Sequence, residues 1–592
     1  MCDPLAAHRP TCMRYLALCC DYDGTIAHHG VVDPQTIASL ERVAASGRKL
    51  ILVTGRVLPE LQQIFPPLEM FDCVVAENGA LLYWPRSRKE ETLGQPPDES
   101  FLTALHAAGV SPLGRGKVIV ATWEPHQTVV LETIRNHGLE HQVIFNKGAV
   151  MVLPAGINKA AGLERALQGL GLSPHNAVGV GDAENDHAFL SLCECAVAVS
   201  NALPTLKEQA DVVTAGDHGA GVQELITELL DDDLSRYNGR LERHHLLLGT
   251  AADGSEVRVA PYGINLLLVG TSGSGKSTLA TGFFEQLIEQ EYTFCVIDPE
   301  GDYHGLAGGV TLGTPERAPS LDEVLQLLRQ SEQSCVADLV ALPLDRRPEF
   351  GIGLIGRLLE LRAATGRPHW IILDEAHHLL PAARSPGAIA PPAALRNAFL
   401  ITVHPDLVGA ETLSQVAGII AVGATPDAMI GEFCSALGIA PPASSPAGGA
   451  LEPGEALVWF RDANRAPVRI RTTPSRQERR RHARKYAEGE LPEDRSFYFR
   501  GPNGKLNLRV QNLILFLQIG DGVDDETWSY HLRKGDYSAW IDGAIKDADL
   551  AERVREIEAG TPSPGESRRL IREAIEERYT VPAGEEAEEG QG

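Results

Sequence analysis

Two ordered sets of residues could do phosphate chemistry. The first is dispersed: Asp21-Tyr-Asp23-Gly-Thr25, Val53-Thr54-Gly55-Arg56, Asn158-Lys159 and Gly181-Asp182-Ala-Glu-Asn185-Asp186. Acids joined by a hydroxyl and a lysine suit transfer of a phosphoryl group onto a carboxylate. The second is compact: Gly270-Thr-Ser-Gly273-Ser-Gly275-Lys276-Ser277-Thr278, followed later by Leu373-Asp374-Glu375. It fits G-x4-G-K-[ST], whose amides and following helix N-terminus cradle phosphates. Lys276 is expected to reach the β- and γ-phosphates and Ser277 to ligate Mg2+. Asp374 is expected to hold Mg2+ through water, and Glu375 to activate the attacking water.

The elements around these residues explain how they could meet. Short apolar stretches at 16–20, 50–53, 74–76, 177–181 and 196–199 alternate with amphipathic stretches such as 35–45, the pattern of a parallel sheet with crossover helices. Asp21, Thr54 and Asp182 each follow such a strand, so three strand ends converge on one crevice. A second α/β region has strands at 265–269, 294–297, 370–373, 398–402 and 419–422. Its phosphate loop lies between the first of these and a helix at 278–290.

The chain has 592 residues, with 43% apolar and 22% charged residues, which predicts several soluble domains. A net charge of −26 disfavours a general coating of nucleic acid or anionic membrane. Ten cysteines without metal-type spacing suggest a reduced, cytoplasmic protein, and no apolar run reaches the roughly 20 residues of a membrane span. Asp231–Asp233 and the polar 235–243 read as a linker. The expected domains are 1–235 with an inserted cap at about 84–157, then 236–476, then 477–592 with an acidic tail.

All four dispersed motifs, together with Glu77-Asn78-Gly79, resemble the haloacid dehalogenase superfamily, and most closely its Cof-type IIB branch. The resemblance implies a Rossmann-like α/β domain with an inserted α+β C2-type cap. Asp21 would attack phosphorus and form an aspartyl-phosphate, and Asp23 would protonate the leaving oxygen and then activate water. Thr54 would bind a phosphoryl oxygen and Lys159 would neutralise charge. Mg2+ would be held by Asp21, the Asp23 carbonyl and Asp182, with Asn185 and Asp186 orienting its water. In the cap, His126, His141, Asn146 and Lys147 are substrate candidates.

Leu247-Leu248-Gly249, Asn265–Gly270 and Asp298-Pro-Glu-Gly-Asp302-Tyr303 resemble FtsK/HerA-type ATPases. That likeness implies a RecA-like ATP-binding domain that assembles as a homo-oligomer, up to a hexameric ring. His404 is a sensor candidate. Arg461, Arg465, Arg469 and Arg471 are candidates to reach a neighbour's nucleotide. The basic run 479–485 reads as a solvated helix face. The C-terminal module reads as small and mainly helical, with Trp528, Tyr530 and Trp540 as core.

The leading expectation is a bifunctional hydrolase. A Mg2+-dependent phosphatase would act on a small phosphorylated metabolite such as a sugar phosphate, coupled to an ATP-hydrolysing domain. One alternative is a HerA-like nucleic-acid-processing machine with a phosphatase domain and a role in defence. The other is a kinase–phosphatase pair, against which Glu375 argues.

Overall fold

The computed structural model describes residues 13–579 apart from 272, 331, 384–389, 391, 393, 444–448, 462–465, 474, 476–490, 492–494, 546 and 561–562. The chain divides into two compact units, Met1–Thr473 and Pro474–Gly592.

The first unit begins with β1 (Ala17–Asp21), β2 (Lys49–Val53), β3 (Cys73–Ala76), β4 (Leu81–Trp84) and β5 (Lys89–Thr92). After the cap come β10 (Ala177–Gly181), β11 (Cys195–Ala198) and β12 (Val212–Val213). These eight form one sheet in the order β12-β11-β10-β1-β2-β3-β4-β5. It is parallel from β12 to β3, and β4 and β5 add antiparallel. Every residue of β1 is buried, as expected of a central parallel strand covered on both faces. Asp21 pairs with Val53, and Cys20 pairs with Val180. Asp21, Thr54 and Asp182 therefore leave the sheet along the same edge.

The cap is a separate four-stranded sheet: β6 (Gly114–Arg115), β7 (Val120–Trp123), β8 (His141–Asn146) and β9 (Ala149–Pro154), in the order β6-β7-β9-β8. Helices Glu99–Ala107 and Gln127–Asn136 close a core of Phe101, Leu105, Val120, Val130, Val150 and Val152 over it. Within the expected cap stretch, β5 pairs into the main sheet. Its sequence Lys-Glu-Glu-Thr marks an edge strand rather than a core one.

The passage into the cap is strained and tied down. Glu77 and Asn78 take φ of 53° and 55°. The buried Glu77 carboxylate accepts from the amides of Lys117, Val118 and Ile119 at 2.8, 2.9 and 3.1 Å. A Cβ on Gly79 would lie 1.8 Å from the Asn158 carbonyl. Glycine there lets the passage press on the start of helix Lys159–Leu170.

The expected linker is partly structural. Helix His218–Asp232 runs through the acidic stretch, and Asp233 accepts from Arg48 Nη2 at 2.9 Å and from the Arg14 amide at 2.6 Å. Arg48, distant in sequence, neutralises Asp233 at the end of the acidic stretch, and the Arg14 amide adds a hydrogen bond.

The second sheet of this unit holds β13 (Leu246–Ala251), β14 (Glu256–Val259), β15 (Leu266–Gly270), β16 (Phe294–Asp298), β17 (Val310–Leu312) and β18 (Cys335–Asp338). It continues with β19 (Trp370–Leu373), β20 (Ala398–Thr402), β21 (Gly418–Val422), β22 (Glu455–Phe460) and β23 (Val468–Arg471). The order is β14-β13-β23-β22-β21-β15-β20-β19-β16-β18-β17. Strands β21 to β17 are parallel, and the β14-to-β22 end is antiparallel. This matches the RecA-like expectation, with β20 between the phosphate-loop strand and the strand ending in Asp374. The loop leads into helix Lys276–Glu289.

In the second unit, hairpin β24 (Phe497–Phe499) and β25 (Leu508–Val510) packs with helices between Leu513 and Tyr579. Trp528 and Trp540 are buried with Phe497, Phe499, Phe516 and Tyr537, so they are core, whereas Tyr530 is only half-buried. The basic run 479–485 lies outside the described residues. Among those described, no helix is long and apolar enough to cross a membrane.

Candidate active sites

The β1/β10 edge assembles all four dispersed motifs. Asp21 is buried and accepts from Lys159 Nζ at 2.5 Å and from Thr25 Oγ1 at 3.1 Å. Lys159, at the first turn of its helix, donates its second bond to Asp186 at 2.6 Å. Asn158 caps that helix by accepting from the Ala161 amide, which fixes where the lysine starts. Burial, then Asp186, pushes the Asp21 carboxyl up, against the pull of the Lys159 ammonium it pairs with. Burial works against the Lys159 charge, but Asp186 and Asp21 outweigh it and raise the ammonium overall.

Asp186 uses both oxygens inside the protein. One takes Lys159, and the other accepts from the amides of Asp182 and Ala183 at 2.8 and 2.9 Å. That pattern shapes the turn carrying Asp182. Asn185 donates to Asn78 at 2.9 Å, and its own oxygen is buried without a partner. Thr54 is buried beside them, and its Oγ1 accepts from the Arg56 amide.

Asp23 lies at the mouth. Arg56 grips both its oxygens, Nε at 2.6 Å and Nη2 at 2.8 Å. Arg56 was legible as part of the second motif, but nothing in the sequence set its side chain against Asp23. Of the cap candidates, Lys147 bonds at this edge, and Asn146, at the end of the strand that packs against Glu184–Asp186, has its Oδ1 buried without a partner. Lys147 donates to the Asp23 carbonyl at 3.1 Å and to Asp182 Oδ2 at 2.8 Å. His126 instead meets the Ser111 carbonyl, and His141 packs against Phe101.

Oxygens of Asp21, Asp182 and Asp186 lie within 4.8 Å of one another, and the Asp23 carbonyl adds a hard donor. An ammonium already bridges two of these groups. The donor set fits a small, hard dication such as Mg2+.

The second centre lies at the carboxyl ends of β15, β16 and β19. Lys276 is buried and folds back onto the carbonyls of Gly270 and Thr271 at 2.9 and 3.0 Å. Burial lowers its ammonium despite Glu375, Asp374 and Asp302 nearby. Asp374 is pushed well up, by burial first and then by Asp298, Glu375 and Asp302. Asp298 is raised to about 6, chiefly by burial. Its carboxylate accepts from the amides of Glu300, Asp302 and Tyr303 at 3.2, 3.1 and 2.7 Å, which organises the loop beside Asp374.

Glu375 takes φ of 40°, and its Oε2 is buried without a hydrogen-bond partner. His377 Nδ1 stands 3.3 Å from that oxygen and meets Thr402 Oγ1 at 2.9 Å. His404 packs edge-on against His377. His377 thus stands between the acid and the end of β20, a placement that only the fold discloses. Ser274 Oγ is also buried without a partner in the loop. Two orphaned polar atoms around a glycine loop, a lysine and an acid pair fit a nucleoside triphosphate with its metal. Ser277 and Thr278 stand half-buried just behind Lys276 on the helix.

Among the arginine candidates, Arg461 is tied to the Ser414 and Val416 carbonyls, and Arg469 pairs with Glu455. Arg471 is exposed on β23, and Arg465 lies outside the described residues.

The two centres share a buried joint. Glu194 pairs with Arg14 and accepts from Tyr292 at 2.9 Å, with His175 Nδ1 at 2.7 Å. His175 Nε2 meets the Gln290 carbonyl at 2.6 Å, and its ring stacks on Tyr292 at 3.7 Å. Arg367 donates to the Gly171 carbonyl at 2.7 Å. His175 lies just before β10, which Asp182 follows directly. His369 lies just before β19, which Asp374 follows directly, and the two rings are 5.4 Å apart. Strands β10 and β19 therefore both start at this joint.

Residues 18–99 and 117–226 match the haloacid dehalogenase-like hydrolase family. Residues 248–349 match the central domain of helicase HerA. A phosphoglycolate phosphatase of Methanothermobacter thermautotrophicus is 30% identical over 232 residues, 37% of this chain and 99% of the relative. Phosphoglycolate phosphatase 2 of Saccharolobus solfataricus is 32% identical over 224 residues, 36% of this chain and 93% of the relative. A solved haloacid dehalogenase-like hydrolase from Bacteroides thetaiotaomicron is 18% identical and covers 36% of this chain and 100% of its own, with a TM-score of 0.33.

Proposed function

The chain belongs to the haloacid dehalogenase-like hydrolases and carries a HerA-type ATPase domain behind that module, and from this premise we propose a Mg2+-dependent phosphatase whose turnover is coupled to ATP hydrolysis. The observation that carries the phosphatase reading is the buried Asp21–Lys159–Asp186 chain at the end of β1, with Thr25 and Thr54 beside it. Hydration would blunt a solvated carboxylate; this one is desolvated and aimed by two bonds.

Asp21 attacks phosphorus and the leaving oxygen departs, giving an aspartyl-phosphate. Asp23, freed from Arg56 and having taken a proton from solvent at the mouth, gives that proton to the leaving oxygen and then, as a carboxylate, takes one from the water that opens the intermediate. Lys159 and Thr54 hold the charge of the transferring group. Asp21, the Asp23 carbonyl and Asp182 would hold Mg2+, which screens the repulsion between carboxylate and phosphate.

The substrate reading is a small phosphorylated metabolite enclosed by the cap. The phosphoglycolate phosphatases among the relatives make a short phosphorylated acid the first probe, ahead of sugar phosphates. Glu375 as base, with Lys276 and Asp374, supports hydrolysis of ATP rather than its use as a phosphoryl donor to metabolite. The joint at Glu194 supports coupling, since it anchors the strands bearing Asp182 and Asp374. Oligomerisation into a ring and residence in the cytoplasm belong to the same proposal.

The HerA match favours a second reading, in which the ATPase acts on nucleic acid. The charge of −26 opposes it. A metabolite panel assayed with and without ATP and DNA separates the two readings. Asp21→Asn is expected to lower phosphatase activity by about 10³-fold or more and to spare ATP hydrolysis. Lys276→Ala is expected to abolish ATP hydrolysis. Phosphatase activity that survives Asp21→Asn would remove the first reading, and ATPase activity strongly stimulated by DNA would install the second.

A further inference from the structure

Lys147 sits in the turn between β8 and β9, at φ 50°, on the tip of the cap that faces β1. Its ammonium donates to the Asp23 carbonyl and Asp182 Oδ2, two of the three groups assigned above to the divalent cation. The fit is close. A Cβ placed on Gly24 would lie 2.7 Å from Lys147 Nζ and 2.4 Å from Asp182 Oδ2, so glycine is what lets the ammonium in. Its side chain is nonetheless 48% exposed, so the stem runs in from solvent and can withdraw the same way. The other cations here are committed elsewhere, Lys159 to Asp21 and Asp186 and Arg56 to Asp23.

A monovalent ammonium and a divalent ion cannot occupy the same two oxygens. Whichever binds expels the other, and one of them is attached to the cap. We propose that Lys147 competes with the divalent cation for the Asp23 carbonyl and Asp182, so that metal binding and release of the cap turn are a single event. Once expelled, the ammonium stands at the cap side of the mouth. There it neutralises an anionic group on the non-phosphoryl end of the substrate, such as the carboxylate of a phosphorylated acid. Lys147 is thus a positioning and specificity residue rather than a catalytic one. The inference rests on the metal seat and the small-phosphate substrate proposed above.

The test uses the full chain without nucleotide and Mn2+ as a spectroscopic stand-in, with bound ion read by electron paramagnetic resonance. Lys147→Met is expected to tighten Mn2+ binding by about tenfold, because a competing unit charge is removed. Lys147→Arg is expected to stay near wild type, and Asp182→Asn to lose the site. Backbone amides of the β8–β9 turn are expected to exchange faster when Mg2+ is added to wild type, and to show no such change in Asp182→Asn. Unchanged Mn2+ affinity in Lys147→Met, with the site lost in Asp182→Asn, overturns the competition and leaves the metal seat standing. A site that survives Asp182→Asn overturns the seat itself. For substrate, Lys147→Met should raise the KM for phosphoglycolate and leave that for ethyl phosphate unchanged. An equal rise for both removes the specificity role.

Discussion

The phosphatase and ATPase centres each gather four acids at the ends of parallel strands, but they balance that charge differently. Around Asp21, Asp23, Asp182 and Asp186 the protein supplies Lys159, Arg56 and Lys147, each in a direct ion pair. Among the described residues, Lys276 stands beside Asp298, Asp302, Asp374 and Glu375 and bonds to loop carbonyls instead. Burial raises Asp298, Asp374 and Glu375 together. The first centre is assembled by folding. In the second, burial favours the neutral form of three of the acids, and the lysine bonds to the loop rather than to them. A phosphatase site must be poised for a substrate that brings its own phosphate. A site with desolvated acids and two orphaned polar atoms is set to change state with its ligand.

The largest expected effect tests that contrast directly. Lys159→Met leaves Asp21 and Asp186 buried without their cation and is expected to cost about 3–5 kcal/mol of stability. Lys276→Met removes a lysine that burial already disfavours as a cation, and it breaks no ion pair. It is expected to change stability by no more than about 1 kcal/mol while abolishing tight nucleotide binding. Urea-unfolding midpoints of the two variants are the measurement. Equal losses would mean that both centres are folded by their lysines, and the contrast would fall.

Glu375→Gln sharpens the ATPase side. The substitution keeps the shape next to His377 and removes the proposed base. ATP should still bind, while hydrolysis falls by about 10²–10⁴-fold. Single-turnover hydrolysis with prebound nucleotide checks it. A variant with near-normal turnover would assign the base to another group, with His377 the nearest candidate.

Most of this contrast was legible where a motif follows a buried strand. Ala17–Asp21, Ala177–Gly181 and Trp370–Leu373 are fully buried apolar runs ending beside named acids, and period and position alone identify them. Lys89–Thr92 was not legible, because a charged edge strand leaves no apolar pattern. Asp233 misled because its partners, Arg14 and Arg48, are remote in sequence. The pairing of Arg56 with Asp23 and of His377 with Glu375 depends on side-chain directions that spacing does not encode. The joint was the least legible part. His175, Glu194, Tyr292 and His369 are single polar residues in ordinary contexts, and only the packing of two sheets brings them together.

That joint is where the two centres could lose their separate characters, and its charge balance gives the smallest expected effect. Glu194 is fully desolvated, and burial alone would raise it, yet Arg14 and then His175 hold it well below the usual carboxylate range. Tyr292 also faces it, and His244, pushed down to about 4 chiefly by burial, stands 3.8 Å away as a neutral ring. A carboxyl depressed in the folded state stabilises the protein above its unfolded value, about 4.3, and that stability is lost as pH falls through the lower folded value. Glu194→Gln is therefore expected to cost about 2 kcal/mol at pH 7. The gap to wild type should close as the pH is lowered below about 4. If the joint transmits between β10 and β19, the variant should also uncouple the activities. Phosphatase turnover would then no longer respond to ATP, although each activity alone persists. A variant that is destabilised at pH 7 but still responds to ATP would make the joint a structural weld. The two differently balanced centres would then work independently on one chain.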